Sequence, residues 1–284
     1  MKRLAAIVLF VLAFAGVARA DDKVLNLFAW SEYVPQEVID GFTKETGIKV
    51  NYDTYASNEE LISKLRAGGA RYDLIQPSEY TCEALIKAGK LEPIDLAKIP
   101  NFKNLLPEYT NMAFDPGNKF TIPYMTGSVG ICVNTEKITE PIHGFKDVFQ
   151  PKYAGRIIVV NDSREMASWA LATLGIGPND MSAENLAKAK PILAGWMKLI
   201  KKYDSDSPKT DLLAGNVDIG VVWSGEAALC WKENHHFAYV LPAEGAHLFI
   251  DNLAIPKGAA NAAGAMRFMD YILRPEVSKI ISDK

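Results

Sequence analysis

The sequence has little cysteine and little histidine: three Cys and four His among 284 residues. Cys82, Cys132 and Cys230 lie far apart and lack the close spacing of a zinc or iron–sulfur site. An odd count leaves at least one thiol unpaired. Each cysteine sits in an apolar context, so a small buried hydrophobe and a single bridge both stay open. His235 and His236 are adjacent, and neighbours on a strand or helix point apart, which argues against a ligand pair. No metal is expected. Charge of one sign is also missing. Lys and Arg number 31 against 34 Asp and Glu, for a net charge of −3. Without a basic stripe, nucleic acid is not an expected partner. No G-x-G-x-x-G or G-x-x-x-x-G-K-[ST] occurs, and Gly127-Ser128-Val129-Gly130 is too short for either, so no nucleotide cofactor is expected.

Long apolar runs are confined to the start of the chain. Lys2 and Arg3 precede an apolar stretch from Ala5 to Val17, then Ala18-Arg19-Ala20 and Asp21-Asp22. That is the layout of a secretory signal over residues 1–20. The apolar stretch is shorter than the ~20 residues a spanning helix needs. No cysteine stands at the cleavage point, which argues against a lipid anchor. The mature chain is expected to be soluble and exported.

Beyond residue 22 the chain alternates strand and helix patterns. Val24 to Ala29 is apolar enough for a buried strand, and Pro35 to Thr46 reads as a helix ending at Gly47. Ile48 to Tyr55 alternates as a strand. Ser57 to Ala67 opens with S-x-x-E, a capping box, and ends at Gly68-Gly69. Tyr72 to Ile75 is a short strand and Glu79 to Ala88 a helix. This is βαβαβ, which implies a parallel sheet. The pattern recurs with strands at 156–160, 218–222 and 237–241 and helices at 163–174 and 225–233. Residues 182–202 read as one helix despite Pro191, which should break or kink it. The expectation is an α/β chain of two lobes, with crossovers near residues 124–130 and 246–252. The first lobe takes 21–125 and 250–284, the second 126–249.

Ligands of open α/β sheets bind beyond the carboxyl ends of the strands. After the first strand come Trp30, Ser31, Glu32 and Tyr33; after the third, Ser78 and Tyr80. After 156–160 come Asp162 and Glu165, after 218–222 comes Trp223, and after Leu248-Ile250 comes Asp251. Indole and phenol faces attract cations by about 0.5–2 kcal/mol each. Carboxylates pair with ammonium groups and accept their hydrogen bonds. Aromatic walls with acids spaced along them suit a slender aliphatic polycation rather than phosphate or a metal. Each residue alone has an ordinary structural use. Asp162 can cap the next helix, Glu165 can favour its dipole, Asp251 can sit in a turn, and Trp30 and Tyr80 can pack. It is their coincidence at one rim that points to a site. Catalysis is not expected: no G-x-S-x-G elbow surrounds Ser31, Ser78 or Ser224. Asp162 and Glu165 on one segment are poorly placed to flank a glycoside from opposite faces. A hydrolase using that carboxylate pair is one rival; a receptor for another organic cation or an amino-sugar, and a sensor of polyamines, are others.

The stretches FAWSEYVP, FTKETGIKV, YDLIQPSEY, FDPGNKFTIPYMTG, NDSREM, IGVVWSG, IDNLAIP and YILRPEV occur in order between about residues 24 and 277. In these the chain resembles the periplasmic polyamine-binding proteins, the spermidine/putrescine receptors of ABC importers. The resemblance implies a type II periplasmic-binding fold, two α/β lobes with a hinge that closes on ligand. It implies a periplasmic monomer that serves an inner-membrane ABC permease. It places Trp30 and Tyr33 around the methylene chain, with Ser31 and Glu32 beside them as hydroxyl and acid. It gives Ser78 and Tyr80 to the pocket lining, Asp162 and Glu165 to amines, Trp223 to stacking and Asp251 to a terminal ammonium. Phe249 stands where members carry Trp or Phe, and Thr126 where they usually carry Trp. Members continue some 50 to 60 residues past LRPEV, so the C-terminal part of the second lobe is expected to be missing and stability to be reduced. Spermidine and putrescine are not ranked by these residues.

Overall fold

A computed structural model describes residues 23–67 and 71–283. The signal expected at residues 1–20, and the Gly68-Gly69 helix end, lie outside the described residues. The first block runs β1 (Val24–Trp30), α1 (Gln36–Thr46), β2 (Lys49–Tyr55), α2 (Asn58–Ala67), β3 (Leu74–Ile75) and α3 (Glu79–Lys87). β1 pairs in parallel with both β2 and β3. Pro35 precedes α1, and Gly47 ends it at φ 71°, a left-handed value that glycine adopts without steric penalty. α1 buries Val38, Ile39 and Phe42. At α2 the capping box is offset by one residue. Ser57 Oγ accepts from the Glu60 amide at 3.2 Å, while the Glu60 carboxylate accepts from the Ala56 amide, also at 3.2 Å.

β4 (Thr121–Asn134) then crosses the molecule. Its first half pairs antiparallel with the returning strand at Leu248–Ala254, and its second half with the strands at Ile219–Trp223 and Phe237–Val240. The second block holds α4 (Phe145–Val148), β5 (Ile157–Val159), α5 (Ser163–Ala172), α6 (Ala183–Trp196), β6 (Ile200–Tyr203), α7 (Pro208–Leu213), β7 (Ile219–Trp223), α8 (Ser224–Glu233) and β8 (Phe237–Val240). β9 (Leu248–Ala254), α9 (Ala262–Ile272) and α10 (Pro275–Ser282) return to the first block. Among the described residues the strand order is β2-β1-β3-β9-β4-β7-β5-β6, with β8 also against β4.

The segment read as one helix over 182–202 is in fact α6 followed by β6. Pro191 lies inside α6 without ending it. The helix stops five residues later at Trp196, and Ile200–Tyr203 pairs in parallel with β5. β6 is an edge strand whose Lys201 and Lys202 are exposed, so it lacks the apolar run of the inner strands. All three cysteines are buried free thiols. Cys132 and Cys230 share an apolar cluster with Ile158 and Leu212.

The two largest apolar clusters lie one around β1, α1 and α9 and the other around β5, β7 and α5; a third packs Phe28, Trp30 and Tyr55 against Leu61 and Tyr72. Phe42 of α1 meets Phe268 and Tyr271 of α9 edge-on, at centroid distances of 5.0 and 5.5 Å. Asp73, 1% exposed, ties the returning segment to β1. It accepts from the Asn26 amide at 2.8 Å, the Asn26 side chain at 3.0 Å and the Asn261 amide at 2.9 Å. Asn261 in turn caps α9 through the Gly264 amide. Asp73→Ala strands donors in a dry place, at about 1–3 kcal/mol for each group left unsatisfied. We expect chemical denaturation to show a loss on the order of 2–4 kcal/mol. A loss under about 0.5 kcal/mol, the size of an ordinary surface substitution, would show that the Asn26 and Asn261 amides find other acceptors.

Candidate functional site

Between the two blocks lies a cleft of about 770 Å³. The strands β1, β3, β5 and β7 end at its wall, and β9 runs along its floor. Every residue expected from the sequence lines it: Trp30, Ser31, Glu32 and Tyr33 after β1, Ser78 and Tyr80 around the start of α3, Asp162 and Glu165 at the start of α5, Trp223 at the end of β7, and Phe249 and Asp251 on β9. Phe249 and Asp251 share one face of β9 because strand side chains alternate.

Asp251 is 2% exposed. Ser78 donates its hydroxyl to Oδ1 at 2.6 Å, and Tyr33 donates its hydroxyl to Oδ2 at 3.0 Å. Burial pushes the carboxyl up to about 7, the Ser78 and Tyr33 hydroxyls oppose this, the Glu79 charge adds to it, and the Trp30 indole N–H opposes it weakly. Asp162 caps α5 by accepting from the Glu165 amide at 2.9 Å. Burial pushes it up to about 6, against the stabilising pull of the Glu165 amide. A polar chain links the two acids. Asn58 Nδ2 lies 3.0 Å from Ser78 Oγ and 2.7 Å from Tyr80 Oη, and Tyr80 donates to Asp162 at 3.3 Å. Asp162 therefore fills both its ordinary role as a cap and a place on the cleft wall. Glu165 accepts from Trp169 Nε1 at 3.2 Å.

The aromatic wall is continuous. Trp30 meets Tyr55 at 4.7 Å and Trp223 at 6.3 Å, and Trp223 meets Phe249 edge-on at 5.5 Å. Trp30 Nε1 is buried without a well-formed hydrogen bond among the described residues, and it lies close enough to Asp251 to favour the charged carboxylate. Trp223 Nε1 donates to the Ser205 carbonyl at 3.2 Å, which fixes the indole.

Six charged residues line the cleft that the strand-end reading did not include: Asp206, Lys232 and Asp283, which are exposed, and His247, Lys209 and Glu226, which lie deeper. His247 precedes β9 and bridges Glu165, through Nδ1, and Glu79, at 3.3 Å through Nε2. Burial disfavours its charge, but the two carboxylates outweigh that and raise it to about 10. Lys209 on α7 reaches Glu32 at 2.8 Å and Glu226 at 3.1 Å. Glu226 lies three residues after Trp223, in the WSGE stretch, and accepts the Lys209 amide as well, at 3.1 Å. Lys209 lies beyond β6, the strand read as helix, so its place beyond a strand end was hidden. His247 had a sequence signal, four residues before Asp251 on the same crossing segment. Among the described residues no cluster of His, Cys, Asp and Glu could hold a metal ion. No described helix is long and apolar enough to cross a membrane.

Residues 37–283 match the family described as bacterial extracellular solute-binding protein. The chain is 36% identical over 275 residues to a spermidine/putrescine-binding periplasmic protein of Salmonella typhimurium, covering 96% of this chain and 79% of that protein. It is 35% identical over 289 residues to a putrescine-binding periplasmic protein of Pseudomonas aeruginosa, covering 95% and 79%. A solved structure from Listeria monocytogenes, ascribed to a spermidine/putrescine ABC transporter, superposes with a TM-score of 0.87 at 34% identity, covering 91% of this chain and 80% of that one. These relatives are receptors that bind solutes, and the fold they share is the type II periplasmic-binding fold. With aromatic walls and buried acids at the strand ends of two α/β blocks, and with these likenesses over most of its length, the chain belongs to the bacterial extracellular solute-binding protein family.

Proposed function

We propose that this protein is an exported, periplasmic receptor that takes a polyamine between its lobes and delivers it to an ABC permease of the inner membrane. The observation that carries the reading is the pair Asp162 and Asp251. Both are buried beside aromatic rings, and neither forms an ion pair with a described Lys, Arg or His. A buried carboxylate without a cation is costly unless the site is made for one that arrives. Ammonium groups meet the acids, and the methylene chain lies against Trp30, Tyr33 and Trp223. The first lobe supplies Trp30, Tyr33 and Ser78; the second supplies Asp162, Glu165 and Trp223. A ligand that contacts both lobes only when they are together favours closure. The relatives named above bind spermidine or putrescine, and a signal at residues 1–20 accords with export.

Titration calorimetry with putrescine and spermidine, against spermine and an amino acid, tests the reading. Micromolar or tighter binding of a polyamine, with none of the amino acid, is expected. Trp30→Ala removes a buried aromatic wall and should weaken binding by roughly 2 kcal/mol or more; unchanged affinity would return Trp30 to packing alone.

The acids also make binding depend on pH. Without ligand, Asp162 and Asp251 hold protons to about 6 and 7. An ammonium favours their ionised forms, so binding releases protons in that range. Affinity should rise from pH 5 to 8 and then level. Near pH 6.5 the binding enthalpy should vary with the ionisation enthalpy of the buffer, and a flat response would exclude protonated acids from the site.

Asp251→Asn separates stability from binding. The folded carboxyl keeps its proton to about 7, against an ordinary value of 3.8. Between those values the folded state binds more protons than the unfolded one, so its stability falls as pH rises through the folded value. The amide lacks this charge. Above pH 7 the ligand-free variant should be more stable than the parent by on the order of 1–4 kcal/mol, while losing most of its affinity. A variant less stable at pH 8 than the parent would contradict the assignment.

A further inference from the structure

The acids of the cleft are not equivalent, and their partners divide them. Asp206 and Asp283 are exposed at its margin, as is Lys232. Glu165 is matched by His247. Glu32 and Glu226 are matched by one ammonium, that of Lys209. This leaves Asp162 and Asp251 as the inner acids without a cation among the described residues.

The Lys209 site is built rather than incidental. Its side chain is 19% exposed and that of Glu226 10%, while Glu32, at 64%, reaches the pair from the solvent side. Glu226 takes both the Lys209 amide and its ammonium, so the lysine is gripped at two points. Glu32 comes from the opposite lobe, and its backbone is left-handed at φ 62°. A residue with a Cβ adopts that conformation at a cost, and keeps it only where surrounding contacts hold it. From that turn the Glu32 carboxylate reaches the Lys209 ammonium on α7 at 2.8 Å. Burial works against the lysine charge, and the two carboxylates restore it and raise the group above its ordinary value.

We propose that Lys209 is a built-in ammonium that occupies an amine seat of the cleft and so sets the charge of the ligand, favouring a diamine over a triamine. This rests on the polyamine reading above. Two inner acids match the two ammonium groups of a diamine. A third ammonium arriving at Glu32 and Glu226 meets a resident cation instead of free carboxylates. It must displace Lys209 or bind against like charge, which discriminates more strongly than a lost contact does. Lys209 is thus a specificity-determining residue, and the number of unmatched acids, rather than the total number, selects the cargo.

The test is calorimetry on the purified protein and on Lys209→Met, Lys209→Arg and Lys209→Met/Glu226→Gln, each checked for folding by thermal melt. Putrescine and spermidine are the probes. The parent should prefer putrescine. Lys209→Met keeps the apolar stem and vacates the seat, and should shift the spermidine-to-putrescine affinity ratio at least tenfold toward spermidine. Lys209→Arg keeps the cation and should keep the parent ratio. The double variant removes one of the vacated carboxylates, and its shift should be smaller than that of Lys209→Met. A ratio unchanged within twofold in folded Lys209→Met, or a parent that prefers spermidine, overturns the inference while leaving polyamine binding intact. If Lys209→Met does not fold, the double variant, which leaves no buried lone carboxylate at Glu226, decides by the same ratio. Failure of the folded parent to bind either amine overturns the functional reading and this inference with it.

Discussion

A carboxylate at 2% exposure, held by two hydroxyl groups and by no cation among the described residues, lies on the strand that both halves of the protein share. Much of the cleft is arranged around Asp251. β9 places it there through pairing with β4 on one side and β3 on the other. Its two donors come from turns of the first lobe, Tyr33 after β1 and Ser78 after β3. The same Ser78 leads through Asn58 and Tyr80 to Asp162 on the second lobe. One polar chain therefore aligns acids that belong to different lobes. The hydrogen bonds favour the charged form and burial opposes it, which holds both acids near neutrality and leaves them responsive to a cation.

Close approach of the crossing strands keeps the aromatic wall continuous. Gly127 of β4 is the partner of Phe249 of β9. A Cβ at Gly127 would lie 2.5 Å from the Phe249 ring and 2.8 Å from Ser224 Oγ. The absence of that carbon lets the ring settle over β4 and meet the edge of Trp223. Thr126 donates its hydroxyl to the Phe249 carbonyl at 2.8 Å. Where the resemblance leads one to expect a tryptophan at 126, this chain lines the cleft with a small side chain that also fastens its floor.

The strand ends were legible because their chemistry is local. A Trp or Asp directly after an apolar run stands out, and the fold carries each of those residues to the cleft. The parallel core was legible for the same reason: inner strands such as Leu25–Ala29 and Ile157–Val160 are largely apolar. β6 was not. It is a four-residue edge strand carrying two exposed lysines, and it comes after a helix whose own pattern runs through Pro191. Pairing with β5, a tertiary contact, makes it a strand. Lys209 was hidden with it, since the turn after an unrecognised strand is not searched. The sequence placed His247 near Asp251 and Glu226 near Trp223, but it hid what each of them does. Their meaning lies in partners 82 and 17 residues away, which no spacing rule reaches.

The cleft concentrates features that are unfavourable in the absence of a ligand. Trp30 Nε1 is buried without a well-formed hydrogen bond among the described residues, Glu32 is left-handed, and two acids are buried without cations among those residues. Local rules broken together at one place mark a site maintained for binding rather than for stability. The protein limits the expense by supplying some of the cations itself. His247 and Lys209 neutralise acids on helices and turns at the sides of the cleft, while the acids on β9 and at the tip of α5 remain open. Each of these two cations also joins the blocks, since Lys209 pairs with Glu32 as well as Glu226 and His247 with Glu79 as well as Glu165. If Lys209 sets the charge of the ligand as proposed, the same side chain also links the two sides of the cleft, through Glu32 on one and Glu226 on the other.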